Sequence, residues 1–191
     1  VDIGGGTTDI TVISLNGVVN GKSIKVAGDR LNSDIMTYIR DEFKILIGER
    51  TAEDVKIQAG AIIPGPAPIE VTVRGRDLVT GLPREVIVTD ADVREAIGGS
   101  IDTLVEAIKE VLETTPPEVV SDVMRRGIYL VGGGALIRGF DTFLTEWLHV
   151  PVYVADDPLT SVARGTGMVV ENTERYLDVI VTEDYVLPPT A

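Results

Sequence analysis

The apolar positions of this chain follow two periods, and the switches between them lay out its elements. Residues 1–27 read as three strands. Residues 9–15 alternate apolar and polar, Asn16-Gly17 supplies a hairpin turn, and residues 18–26 return. Gly28-Asp29 then opens a helix. Its apolar positions Leu31, Ile35, Met36, Ile39, Phe43 and Leu46 recur every three to four residues, and Gly48 stops it. Thr51 and Asp54 have the spacing of a capping box for a shorter helix carrying Val55, Ile57 and Ala59. A loop follows, marked by Pro64, Pro66 and Pro68. Three strands are expected next, over residues 69–73, 77–80 and 85–89, with glycine-containing turns between them.

Thr89 with Asp92 forms a second capping-box pattern. Val93, Ile97, Ile101, Leu104, Val105, Ile108 and Leu112 then trace one face of a long helix, with a bend expected at Gly98-Gly99 and a stop at Pro116-Pro117. Residues 128–131 form a short apolar strand, 137–148 an amphipathic helix, 151–155 a strand and 159–176 a helix. The last fifteen residues have weak periodicity and are expected to fray. The fold class is α/β: antiparallel strands first, parallel strands with crossover helices last, and an α+β insertion between them. Residues 1–27 and 118–191 are expected to share one sheet, with residues 28–117 as the insertion.

Composition narrows the chemistry. The 191 residues suffice for one or two small domains with real cores. Thirty acidic against 17 basic residues give a formal charge of −13, a field that repels nucleic acid and anionic lipid but leaves room for a nucleotide held by a local nest of amides. Without cysteine there are no disulfides or thiolate metal sites. The single histidine, His149, reads as a surface residue at a helix C-terminus rather than a catalyst. No apolar run approaches the ~18 residues of a membrane span. The chain starts at Val1, already inside a strand, so the N-terminal part of a larger protein is expected to be missing.

The candidate chemistry lies in two glycine clusters. In the first, a strand end carrying Asp2 runs into Gly4-Gly5-Gly6 and then Thr7-Thr8. Three residues without side chains let backbone amides approach an anion closely and adopt positive φ; the hydroxyls add donors, and Asp2 is placed to hold a metal ion, directly or through water. A lone triplet of this kind is more often a hairpin turn. The second cluster, Gly132-Gly133-Gly134, again follows a buried strand and precedes a helix, which suits an anion or a flat ring. Its spacing does not fit G-x-G-x-x-G, because position 137 is Ile. Residues 16–23 (NGVVNGKS) imitate a P-loop but are one residue short and lead into a strand, where a P-loop requires a helix. Two strand–triglycine elements in one small domain are a stronger signal than either alone.

The pair formed by residues 1–9 (VDIGGGTTD) and 130–136 (LVGGGAL) resembles the phosphate-2 and adenosine motifs of the actin, Hsp70 and sugar-kinase superfamily. Within it, residues 47–53 (IGERTAE), 74–83 (RGRDLVTGLP), 116–122 (PPEVVSD) and 157–167 (DPLTSVARGTG) are similar to the bacterial actin MreB, a likeness that runs to about residue 171. The resemblance implies a ribonuclease H-like, actin-type ATPase domain with an inserted α+β subdomain. Residues 1–27 plus 118–191 would be subdomain IIA and residues 28–117 subdomain IIB, with the first phosphate loop and the catalytic acidic residue upstream. No catalytic residue is therefore expected here. By motif, Gly4, Gly5, Gly6 and Thr7 would hold the β- and γ-phosphates of ATP, and Asp2 would position Mg²⁺ through water. Glu53 and Lys56, with Asp54 and Val55 between them, would reach the ribose; Gly132, Gly133, Gly134, Ala135 and Leu136 would line the adenine pocket. Without the family likeness, Glu53 and Lys56 read as a solvated i,i+3 ion pair. Asp9 stands where Glu is common, and Asn32 where Asp or Glu is expected.

The resemblance further implies a cytoplasmic, ATP-driven filament that maintains rod shape by guiding cell-wall synthesis. It implies self-assembly, a RodZ-like membrane anchor, and contact with the inner membrane face through the missing half. Two alternatives share the glycine motifs: a chaperone-type ATPase module resembling Hsp70, and a non-hydrolysing module that binds partners.

Overall fold

The computed structural model describes residues 1–15 and 17–179. Strand β1 (Asp2–Ile3) passes through the first glycine triplet into β2 (Thr8–Ser14) and β3 (Gly17–Ile24), an antiparallel set in that order. The alternation in β2 follows the sequence pattern: Thr8, Ile10 and Val12 are buried, while Asp9, Thr11 and Ile13 face water. Asn16, half of the expected hairpin turn, lies outside the described residues.

Helix α1 (Gly28–Phe43) buries Leu31, Ile35 and Ile39, each one turn from the next. It stops sooner than its periodicity predicts. Lys44 turns left-handed (φ 57°), and the chain enters the short strand β4 (Ile45–Leu46), which takes Leu46 off the helical face. Helix α2 (Glu49–Ala59) starts at Gly48, whose carbonyl accepts from the Ala52 N–H at 3.1 Å. Thr51 therefore lies inside the helix, and the expected capping box with Asp54 does not form.

Two strands, not three, follow. Strand β5 (Glu70–Asp77) runs through Gly75 and pairs antiparallel with β4 and with β6 (Pro83–Thr89). Gly75 is no turn. A Cβ there would stand 2.5 Å from the Leu46 carbonyl oxygen, so glycine is what lets β4 lie against β5. The turn comes just after, where Asp77 Oδ1 accepts from the Val79 and Thr80 amides, each at 2.8 Å. Leu78 and Val79, whose apolar character suggested a strand, are exposed on it.

Helix α3 (Asp90–Glu113) opens with the expected Thr89–Asp92 capping box and continues unbroken through Gly98 and Gly99. Helix α4 (Pro117–Arg126) was not expected; its cues are Pro117 in the first turn and the spacing of Val119, Val120 and Val123. Strands β7 (Ile128–Leu130) and β8 (Val152–Val154) pair in parallel. Between them lie a 3₁₀ turn at Gly133–Leu136 and helix α5 (Phe140–Leu148), which starts later than expected because Gly139 adopts φ 74°. His149 closes α5 as an exposed residue. The helix expected over 159–176 is broken: α6 (Ser161–Glu171) gives way at Asn172 to a 3₁₀ segment, Thr173–Val179. Most of the last fifteen residues lie outside those described.

The sheets of β1 and β7 meet edge to edge. Asp2 bridges Val131 in parallel; the Ile3 N–H donates to the Val131 carbonyl and the Val131 N–H to the Val1 carbonyl, both at 2.9 Å. Both glycine triplets thus leave neighbouring parallel strands at the same end. One buried cluster underlies them, containing Ile3, Leu31, Ile35, Leu104, Leu130 and Phe140. Among the described residues, no helix is long and apolar enough to cross a membrane.

Candidate functional site

The first triplet is a short turn made of backbone. The Gly4 N–H donates to the Thr7 carbonyl at 3.0 Å. The carbonyls of Gly4 and Gly5 accept from the Gly28 and Asp29 amides at 3.0 and 2.8 Å, so the loop itself caps α1. The loop's own amides are left over. No described residue accepts from the N–H of Gly5, Gly6 or Thr7, and all three residues are exposed. Successive free amides on a turn are an anion nest. A Cβ on Gly5 or Gly6 would meet only the Asp29 carboxylate, at 3.8 and 3.9 Å, so the space above the loop is open.

Two expectations need correction here. Gly4, Gly5 and Gly6 do not use positive φ, so glycine serves close approach rather than handedness. Thr8 is no anion donor: it is fully buried and its hydroxyl donates to the Val26 carbonyl at 2.7 Å. Thr7 is free of the core, with its hydroxyl on Asp9 Oδ2 at 3.2 Å.

The second triplet is pressed against the first strand. At Gly132 (φ 80°) a Cβ would stand 2.4 Å from the Ile3 carbonyl oxygen and 2.5 Å from Asp2 Oδ1. At Gly134 it would stand 2.2 Å from Ile3 Cγ2. Any side chain at either position would drive the loops apart. Gly134 and Ala135 are buried, whereas Gly133 and Leu136 are open to solvent. The two loops thus lie together at the C-terminal ends of adjacent parallel strands, the usual ligand position in α/β sheets, with the Asp2 carboxylate against the second loop.

Helix α2 is tied to the first loop through Gly28. Lys56 Nζ donates to Glu53 Oε2 at 2.7 Å and to the Gly28 carbonyl at 3.2 Å. This is the i,i+3 pair anticipated from spacing, but it is not simply solvated. The Lys56 side chain is only 11% exposed, and Asn32 Nδ2 donates to the same Glu53 oxygen at 2.7 Å. Burial pushes the Glu53 carboxyl up, but the bonds from Lys56 and Asn32, with the Lys56 charge, outweigh it and leave the group below its usual range. Asp54 is exposed on α2, while Val55 is a core residue with only its backbone left for a ligand.

Sequence reasoning missed the contacts of three residues, although it marked Asn32 as standing where Asp or Glu is expected. Asp29 sets a carboxylate at the rim of the first loop. Asn32 joins the Glu53–Lys56 pair. Arg138 ties the second loop to α2, donating from Nε to the Gly60 carbonyl at 3.2 Å and from Nη2 to the Gln58 carbonyl at 2.7 Å. All three act across long stretches of chain, and no local pattern shows those contacts.

A family model described as MreB/Mbl protein matches residues 1–178. The cell shape-determining protein Mbl of Bacillus subtilis is 50% identical over 175 residues, covering 92% of this chain and 53% of that protein. The chain thus spans about half the length of the curated relatives it matches. The crystal structure of MreB5 of Spiroplasma citri bound to ADP superposes with a TM-score of 0.89 at 39% identity, covering 93% of this chain and 54% of that one. A MamK double helical filament is similar at 25% identity and TM-score 0.76, covering 89% of this chain and 53% of that one. The fold is therefore of the actin type, as the motifs suggested. Nothing in these likenesses supports the chaperone-type module or the non-hydrolysing, partner-binding module.

Proposed function

The chain belongs to the MreB/Mbl family, and on that premise we propose that it forms one wall of the ATP site of a filament-forming, cell shape-determining bacterial actin. The observation that carries this is the apposition of the two triglycine loops, one with free amides, at the end of adjacent parallel strands. The amides of Gly5, Gly6 and Thr7, together with Gly4, take the β- and γ-phosphates. Glu53 and Lys56 orient the ribose. Gly132 to Leu136 offer adenine a surface with few side chains, where Leu136 stands open.

Magnesium fits this donor set as an ion held largely by phosphate and water. Asp2, half-buried beside the second loop, is the residue that would hold it, through water. When bound, the ion supplies positive charge against the phosphates. We assign no water-activating residue to this chain and place that group, with the other wall of the site, in the remainder of the protein. On this reading residues 1–27 and 118–191 are subdomain IIA, and residues 28–117 are the inserted IIB. Self-assembly is the main interaction of the whole protein, as in the MamK filament. A RodZ-like anchor and the inner membrane face are further partners, and the filament lies in the cytoplasm beneath the membrane.

The test is calorimetric titration of the intact protein with ATP and magnesium, beside the Gly5→Val variant, with filament pelleting on the same samples. Because only Asp29 approaches a Cβ at Gly5, the variant should fold. It should lose ATP binding and ATP-dependent pelleting together. Normal ATP affinity in a folded Gly5→Val protein would refute the assignment.

A further inference from the structure

Asn32 is the one buried side chain whose hydrogen bonding is unfinished among the described residues. It is 3% exposed, and its Oδ1 has no partner. Buried acceptors without donors are uncommon in native structures, and each calls for an account. Its other end is well used: Nδ2 donates to Glu53 Oε2 at 2.7 Å. Reversing the amide would set Oδ1 against that carboxylate oxygen, so Glu53 fixes the orientation and the orphaned acceptor cannot be flipped away.

The surroundings say which donor fits. Glu53 Oε2 already receives Asn32 and Lys56, while Glu53 Oε1 has no described partner. Two acceptors beside one ammonium repel a phosphate and suit a group that donates, as a sugar hydroxyl does. The cluster also sits next to the phosphate loop. Lys56 bonds the Gly28 carbonyl, and the Gly28 N–H bonds that of Gly4. A Cβ on Gly28 would be 3.3 Å from both Lys56 Nζ and the Gly4 oxygen.

We propose that Asn32 is a specificity residue for the sugar of the nucleotide: Oδ1 accepts a ribose hydroxyl, directly or through one water, while Nδ2 holds Glu53 for the same sugar. This rests on the nucleotide-site reading above. The chain thereby selects ribonucleotides over deoxynucleotides through a residue on α1, not only through α2.

The experiment is calorimetric binding of ADP, 2′-deoxy-ADP and 3′-deoxy-ADP to the intact protein below its assembly concentration. Wild type and Asn32→Ala are compared, with melting curves without nucleotide as the check on folding. Wild type should prefer ADP to at least one deoxy analogue by about tenfold or more, the size of one lost hydrogen bond in a buried site. Asn32→Ala should lower that preference severalfold, leaving what Glu53 and Lys56 contribute. A folded Asn32→Ala protein with wild-type preference would overturn the proposal. Wild type binding all three ligands equally overturns it without any variant and leaves the nucleotide site standing. Failure of wild type to bind ADP at all removes the nucleotide site, and this proposal with it.

Discussion

Ile3 fills the space that a side chain on Gly134 would need: a Cβ there would lie 2.2 Å from Ile3 Cγ2 and 2.7 Å from Ile3 Cβ. Both atoms belong to a β-branched, fully buried residue in a strand, so neither can swing aside. Gly134→Ala is therefore expected to destabilise the chain by about 1–3 kcal/mol through overpacking. Adding Ile3→Ala removes the clashing methyl. The double variant should lose less than the sum of the two single losses, measured as denaturation midpoints. Strict additivity would mean the two loops are not in contact.

Arg138 joins the second loop to the last turn of α2, where it meets the carbonyls of Gln58 and Gly60. Those carbonyls end a helix, where a cation is favoured. Arg138→Ala should cost about 1 kcal/mol in stability. It should weaken nucleotide binding more than that figure implies, since α2 carries Glu53 and Lys56. Arg138→Lys should recover little, because an ammonium cannot fork between two carbonyls as a guanidinium does. Unchanged ADP affinity in Arg138→Ala would show that α2 is held in place without it.

Asp77 gives the chain a dependence on acid. Its carboxyl is held down to about 2 by the amides of Thr80 and Val79, against some desolvation, with help from Arg84. A carboxyl lowered on folding adds stability above its unfolded pKa, usually 3.8, and that stability drains as pH falls toward about 2. Melting temperature should drop between those values. Asp77→Asn should flatten that part of the profile and lower stability at neutral pH. An identical acid profile in the variant would remove Asp77 as the cause.

The buried faces were legible because burial imposes a period: Leu31, Ile35 and Ile39 on α1, and Ile10 and Val12 on β2, lie where the spacing put them. The glycine triplets were legible because glycine marks backbone that something must approach. Short-range pattern failed where a distant strand or loop decides the local structure. Gly75 looked like a turn because its neighbour, β4, is nearly thirty residues away along the chain. Thr51 and Asp54 had capping chemistry, but Gly48 had already begun the helix. Asn32 stands out in sequence only as a departure from the Asp or Glu expected at its position, and Arg138 is an ordinary polar residue there. Their meaning comes from partners on other elements, Glu53 for one and the end of α2 for the other.

Residues 1–191 by themselves should bind nucleotide weakly and should not turn it over. Free amides, the Glu53 carboxylate and an open glycine loop amount to binding groups. Hydrolysis also needs a group that orients and activates water opposite the leaving phosphate. The carboxylates around the first loop are Asp9, which accepts from the Thr7 hydroxyl at 3.2 Å, Asp29, at the loop's rim, and Asp2, against Gly132. None is assigned to that task. On the proposed reading, in which the other wall lies in the remainder of the protein, solvent would also reach phosphates bound to residues 1–191 alone and weaken the interactions made with them. Steady-state phosphate release by the purified chain should equal the buffer background, while ADP binding remains detectable and is abolished by Gly5→Val. Phosphate release above background that disappears in Gly5→Val would show that this half carries its own catalytic group, and Asp29 would be the first residue to replace.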